Sequence, residues 1–381
     1  MAHSEEIALA CDKTAGGWDW SSGVSYNTAL VFIKPHAVND AVKAFVSSEL
    51  KAQSLDIIAE GGLTGPEIES GGIIDNHYAA IATNAMKVEP ADIAVADDKK
   101  AKFAEAFECS WDSVLTAGTV MNVTKALEVL AQTGTGLAAV WDKGVNKIKL
   151  ASGCYVSKCT YAMVNNDEGD DVGVPCEEGE DGATTIYLIN GFYGAMRESY
   201  ITESAQVYFY VVGFTSDKVT WNKFRTEIIG PTNPDDAPEG SIRGKGKAQW
   251  ESLGMPGCPN VGENVVHASA GPLEGLKERC VWLGLNTETD PFGQKLAEVI
   301  WSSEAGDTME RLLADDTFEF AGVSMGAFDL TENKESLEVL CICNNLAYAT
   351  PDETKEFYAV EPAAQEEAAP AEGEAKAEEA A

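Results

Sequence analysis

His267 is one of only four histidines in a chain of 381 residues. It closes the run Asn264-Val265-Val266-His267 and is followed by Ala268, Ser269 and a Gly271-Pro272 pair. An imidazole is substantially neutral near pH 7 and is a good nucleophile toward phosphorus. Fixed at the end of a strand, with a carboxylate on its second ring nitrogen, it can take up and release a phosphoryl group. Glu278 lies in the helix expected to begin at Pro272 and can turn back toward it. A transferring phosphate also needs cations and donors. Arg243, in the run GSIRG, offers a bidentate fork. Lys34 offers a point charge, and Thr232 a hydroxyl. Taken singly, each has an ordinary reading as a core histidine or a surface charge; only their combination points to chemistry.

The elements that must position these residues follow from pattern. ALVFIKP (29–35) is a short apolar run stopped by Lys-Pro and predicts a buried strand. Val42, Phe45, Val46 and Leu50 share one helical face. LDIIAEGGL (55–63) predicts a second strand, and a helix leads into Asp75–Tyr78. AQVYFYVVGF (205–214) predicts another strand and KVTWNKFRTEIIG (218–230) a short helix. Two proline- and glycine-rich loops then precede the strand NVVH. Pro272 suits the first turn of the following helix, and Glu274 its positive end. The order predicts an α+β fold, a βαββαβ core in which two helices cover one face of an antiparallel sheet.

Residues 83–189 interrupt this core. FAEAFECSWDSVL and VTKALEVLAQT predict helices, and the stretch from Ala138 to Val164 two or three strands, an inserted α/β subdomain. Every charged residue between Asn165 and Gly182 is acidic. Their spacing does not fit a calcium loop, so a solvated loop is expected. Residues 1–27 are expected to be an irregular extension with Trp18 and Trp20 as packing anchors. Residues 286–360 form a C-terminal extension with two helices. Residues 361–381, rich in Ala and Glu, predict a disordered tail.

The formal net charge of −35 argues against nucleic acid and anionic membranes as partners. A phosphate ligand must be held by a few local cations against that field. No apolar stretch approaches the ~20 residues of a membrane span. The opening MAHSEEIALACDKTAGG does not have the form of a secretory signal. The nine cysteines are expected to stay reduced, in a cytoplasmic setting. Cys154/Cys159 and Cys341/Cys343 lack partners at zinc-site spacing and are expected to be free thiols.

The segment GPTNPDDAPEGSIRG, followed by NVVHAS and then Glu278, resembles the nucleoside diphosphate kinases, and LVFIKP is similar to that family's lysine-bearing first strand. The resemblance covers about 29–80 and 190–283. It implies a ferredoxin-like core and a ping-pong transfer of the γ-phosphate of ATP to nucleoside diphosphates through phosphohistidine. It implies His267 as nucleophile, supported by Asn264, Ser269 and Glu278. Lys34, Thr232 and Arg243 become phosphate ligands, and Asn264 lies on the nucleotide. Tyr78 lies near the active site, and Phe192, in NGFYGAMRESY, stacks on the base. Mg²⁺ is implied as a passenger of the nucleotide, with no dedicated protein ligands. A homo-oligomer or a protein assembly partner is implied as well.

Departures from the family bear on activity. The stretch between Tyr78 and Phe192 is far longer than the family's link. Thr226 stands where the second phosphate-binding arginine belongs; Arg225 is adjacent, and only a one-residue shift at the helix end would let it substitute. Lys245 replaces an aspartate in the long loop before His267. The large insertion, the C-terminal extension and the acidic tail favour an alternative: a catalytically weak or inactive nucleotide-binding scaffold, of a ciliary, cytoskeletal or other multi-protein assembly.

Overall fold

The computed structural model describes residues 23–151, 153–300, 307–349 and 353–354. The expectations for Trp18, Trp20 and the acidic tail lie outside these residues. Thr64–Ala205 forms one compact unit, and the described residues on either side of it form another. Tyr78 and Phe192 belong to the first of these, His267 to the second. Both are mixed α and β with antiparallel strand pairing. Among the described residues, no helix is long and apolar enough to cross a membrane.

The unit that holds His267 begins with β1 (Tyr26–Ile33), whose eight residues are all buried. Its apolar run ends at Lys34, because Pro35 has no N–H for a ladder and instead opens a short 3-10 turn. A helix over Asp40–Ala52 follows. Asn39 caps it by accepting from Val42 N at 2.9 Å, and Val42, Val46 and Leu50 bury one stripe. β2 (Asp56–Thr64) then leads into the other unit.

Residues 64–205 contain β3 (Val120–Met121), β4 (Val145–Ala151), β5 (Cys154–Asn165), β6 (Asp171–Pro175) and β7 (Thr184–Ile189). The strand order is β3-β7-β5-β4, with β6 on β5. β3 and β7 run parallel; the other pairs are antiparallel. Side chains on β5 and β7 alternate between two apolar clusters, so helices cover both faces. Two expectations change here. Ala138–Asp142 lies in the helix Gly134–Asp142 rather than in a strand. The acidic stretch is not wholly loop, because Asp171–Pro175 pairs with β5.

The chain returns with β8 (Gln206–Thr215), which pairs antiparallel with β1 along the full length of β1. β9 (Val266–Ala268) pairs antiparallel on β1's other edge. The sheet order is β2-β8-β1-β9. Ala29, Val31 and Ile33 face a cluster with Val42, Val46, Leu50, Trp221 and Phe224, as two helices on one sheet face require. The opposite face is also closed. Phe32, one step out of phase with Val31 and Ile33, packs on Trp282 of the helix Pro272–Leu283, ring centroids 4.5 Å apart. The continuous burial of β1 is the sequence trace of this second covering.

The C-terminal extension is richer than the two helices expected. It carries helices at Pro291–Val299, Thr308–Leu313, Ala327–Thr331 and Ser336–Tyr348, and the hairpin β10 (Thr317–Phe320) to β11 (Val323–Gly326). Its core joins Leu273 and Leu276 to Phe292, Leu312, Phe318 and Val339. Cys154, Cys159, Cys341 and Cys343 are free thiols, and burial pushes Cys154 and Cys159 up to about 12.

Candidate functional site

His267 sits in the middle of β9, directly across from Phe32 of β1. Its ring stacks on the Phe32 ring, centroids 4.6 Å apart and planes inclined by 21°. That stacking and the strand register fix the imidazole plane. Nε2 is hydrogen-bonded to Glu278 Oε1. Ser269 Oγ donates to Glu278 Oε2 at 2.5 Å, and Leu30 N donates to Ser269 Oγ at 2.9 Å. A carboxylate has no proton to give, so Nε2 carries the hydrogen and Nδ1 the lone pair. The relay therefore sets the tautomer and places a negative charge beside any positive charge that develops on the ring. His267 is 7 % exposed and Glu278 2 %. The ring therefore has little solvent contact.

The approach to β9 is strained. Val265 has φ 76°, a conformation that a β-branched residue rarely adopts, and Val266 N donates to Asn264 O at 3.0 Å. This is a γ-turn of the positive-φ kind, which costs roughly 1–3 kcal/mol. Its surroundings hold it. Lys34 N donates to Val265 O at 3.0 Å, and Lys34 Nζ to Gly262 O at 3.2 Å. Asn264 Nδ2 donates to Thr232 O at 2.9 Å and Val261 O at 3.1 Å. Arg243 Nη2 donates to Val266 O at 2.8 Å and Nη1 to Gly230 O at 3.0 Å. Gly230 itself needs to be glycine, with φ 96° and a Cβ position 2.7 Å from Ser241 Oγ.

Lys34, Thr232, Arg243, Asn264, His267, Ser269 and Glu278 are thus brought together. Two roles differ from expectation. The Arg243 guanidinium is aimed at main-chain carbonyls, where it braces the turn instead of presenting a fork for phosphate. Thr232 meets Asn264 through its carbonyl. The acceptor Oδ1 of Asn264 is buried and has no hydrogen-bond partner among the described residues. Lys245, where the resemblance implies an aspartate, is paired with Glu49 at 2.6 Å.

The segment expected to be a plain short helix is α-helical only over Trp221–Lys223 and continues as a π-helix over Phe224–Ile229. Gly230 N closes it onto Arg225 O at 3.0 Å. The wider turn takes up one extra residue and so shifts every side chain around the helix by one position. Thr226 Oγ1 bonds back to Asn222 O at 2.8 Å on the exposed side. Arg225 points to the C-terminal extension, where Nη1 pairs with the Glu332 carboxylate and donates to Asn333 Oδ1 at 3.3 Å.

Glu274 precedes Glu278 by one helical turn and accepts from Ala270 N at 3.2 Å. Burial, then the Glu278 charge, pushes it up to about 7, against the pull of His267, Arg225 and the Ala270 N–H. The folded protein therefore holds this proton more tightly than the unfolded chain. Stability from this group is greatest below the ordinary carboxylate range and is lost as pH rises toward about 7. Glu274→Gln is expected to flatten that loss, seen as urea midpoints at pH 5 and pH 8 that lie closer together than in the parent.

Sequence reasoning missed Arg279, which is fully buried beside Glu278. Its Nε donates to Asp290 Oδ2 at 2.6 Å, Nη2 to Asp290 Oδ1 at 3.0 Å, and Nη1 to Thr28 O at 2.7 Å. Asp290 also accepts from Phe292 N and Gly293 N as a helix cap. The Asp-Pro-Phe-Gly run was the available signal, an N-cap before a first-turn proline.

In the other unit, Phe192 is 4 % exposed, packed edge-on to Trp141 at 5.6 Å and near Tyr155 at 6.4 Å. These contacts seat its ring in that unit's core, and such packing does not support the base-stacking role expected of it. Tyr78 follows the helix Ile73–His77 and lies edge-on to His77 at 4.4 Å. The helix after Phe192 is fixed by Asp75, which accepts from Tyr193 Oη at 2.5 Å and Arg197 Nε at 3.0 Å.

No family model matches the chain, and no curated protein matches it. Among solved structures it is similar to an apo nucleoside diphosphate kinase from Encephalitozoon cuniculi, at 14 % identity over 68 % of this chain and 90 % of that one, with TM-score 0.31. It is also similar to an NDP kinase from Pyrobaculum aerophilum, at 16 % identity over 68 % and 96 %, with TM-score 0.29. At such scores the arrangement of elements has to be read from this chain itself.

Proposed function

We propose that the chain is a phosphotransferase of the nucleoside diphosphate kinase type, moving the γ-phosphate of a nucleoside triphosphate to a diphosphate through His267. The observation that carries this reading is the hydrogen-bonded relay Ser269–Glu278–His267, which sets one tautomer in a ring held by Phe32. The strained turn at Val265 adds support, since strain of this kind persists where surroundings enforce it and clusters at working sites. So does the unmet acceptor on Asn264, which suits a ligand hydroxyl. The order β2-β8-β1-β9, with a helix after β1 and another after β8, supports reading the fold as a ferredoxin-like βαββαβ core with 64–205 as its insertion.

In this reading Nδ1 attacks the γ-phosphorus in line and the diphosphate leaves. Glu278 stabilises the charge that grows on the ring. Lys34, which follows β1, supplies a local cation. Both Glu278 oxygens serve His267 and Ser269, so Mg²⁺ would come with the nucleotide and neutralise its phosphates. Incubation with γ-labelled ATP should leave an acid-labile, base-stable label on the protein. The label should disappear in His267→Ala and pass to added GDP.

A second reading, a nucleotide-binding scaffold without turnover, is favoured by the engagement of both arginines with protein acceptors. Binding of ADP with no label on His267 at any ATP concentration would establish it.

A further inference from the structure

The connector between the helices Ala327–Thr331 and Ser336–Tyr348 grips the helical segment that carries Arg225 at two points. At the segment's start, Glu335 Oε1 accepts from Trp221 N at 2.8 Å. One turn on, the Glu332 carboxylate pairs with Arg225 Nη1, and Asn333 Oδ1 accepts from the same nitrogen. The connector is itself fixed to the core. Asn27 Nδ2 donates to Glu335 Oε2 at 3.2 Å, and Ser336 Oγ donates to Asn27 Oδ1 at 2.5 Å. It also lies directly on the stretch that follows His267. Asn333 N donates to Ala270 O at 3.2 Å, and a Cβ at Gly271 would stand 3.1 Å from Thr331 O. Glu274, on that same stretch, feels the charges of both His267 and Arg225, so the guanidinium and the imidazole share one electrostatic neighbourhood.

We infer that Glu332 is an internal stand-in for a nucleotide phosphate: it occupies Arg225, and a phosphate group of the substrate must displace it to use that arginine. This rests on the reading that nucleotide binds beside His267. A guanidinium accepts a carboxylate and a phosphate through the same forked donors, so the two compete for one position. The contact is only part-buried, with 27 % of the Arg225 side chain and 23 % of the Glu332 side chain exposed, so it can open without unfolding the core. Glu335, by contrast, keeps its place on Trp221 and Asn27 and serves as the fixed end of the latch. Apparent affinity for nucleotide is then reduced by the fraction of molecules in which Arg225 is occupied.

The test is calorimetric titration of ADP into the full chain and into Glu332→Gln, Arg225→Ala, the double variant, and Glu338→Gln. Glu338 lies on the following helix in an exposed pair with Lys334, so its loss removes one negative charge without touching Arg225. Glu332→Gln should bind ADP about tenfold more tightly, as expected for an arginine occupied most of the time. Arg225→Ala should cancel that gain, and Glu338→Gln should match the parent. The inference is overturned if Glu332→Gln binds like the parent, if the gain survives without Arg225, or if none of the proteins binds ADP. Its fate is separable from that of the reading it rests on. Tighter binding in Glu332→Gln with no label on His267 keeps the latch and removes phosphotransfer. A labelled His267 with equal affinities keeps phosphotransfer and removes the latch.

Discussion

Glu278→Gln is expected to slow phosphate transfer onto His267 by roughly 10²- to 10⁴-fold while leaving the protein folded. Glutamine has the same shape and can still meet one of the two donors, His267 Nε2 or Ser269 Oγ. What it lacks is the negative charge. A phosphorylated imidazole carries positive charge on the Nε2 side, and a neutral amide does not stabilise it. The amide also has protons of its own, and one directed at Nε2 would favour the tautomer with hydrogen on Nδ1, where attack must occur. Rapid-quench measurement of label on the protein in a single turnover reads the step directly. An unchanged rate would make the carboxylate a structural brace only. Ser269→Ala should follow the same direction with a smaller effect, because it removes a hydrogen bond that aims Glu278.

Arg279→Ala is expected to cost about 3–5 kcal/mol, because it strips the partner from a carboxylate that remains fully buried. Asp290 would keep its two helix-cap bonds but lose two charge-assisted ones, and Thr28 O would lose its donor. The loss should be read as amide-exchange protection in β1 and in Pro272–Leu283, the elements that hold His267 and Glu278. Replacing both residues by apolar ones of similar volume should be far milder than either single change, since no charge is then left stranded. If Arg279→Ala unfolds no more easily than the parent, the pair does not tie the C-terminal extension to the core.

The parts of this fold that were legible in sequence are those with a local cause. Lys34-Pro35 ends β1 because proline cannot donate. Asn39 and the spacing of Val42, Val46 and Leu50 write their helix. The Gly271-Pro272 pair marks the next one. His267 and Glu278 were legible as partners because a short strand and the helix that follows it keep fixed company. What stayed hidden depends on residues far apart in the chain. Arg243 reads as a phosphate fork until Gly230 and Val266 present their carbonyls to it. Arg225 and Thr226 cannot be ranked until the backbone takes the wide π turn. Phe192 reads, by resemblance, as a base-stacking clamp until Trp141 and Tyr155 pack against it. Asp171–Pro175, acidic at its start, becomes a strand only because β5 offers an edge. In each instance the deciding partner lies more than a helical turn away, where local propensity carries no information.

Gly65 N donates to Ala205 O at 2.8 Å, so the stretch of chain between them leaves and returns at nearly one point. A polymer whose two ends already meet places little tension on whatever it is grafted into, however long it is, because closing a larger loop adds only slowly to the entropic cost. Growth, shrinkage or exchange of everything between those two residues would therefore add little to the cost of closing the chain. Everything between those two residues could be swapped by an engineer through a two-residue seam.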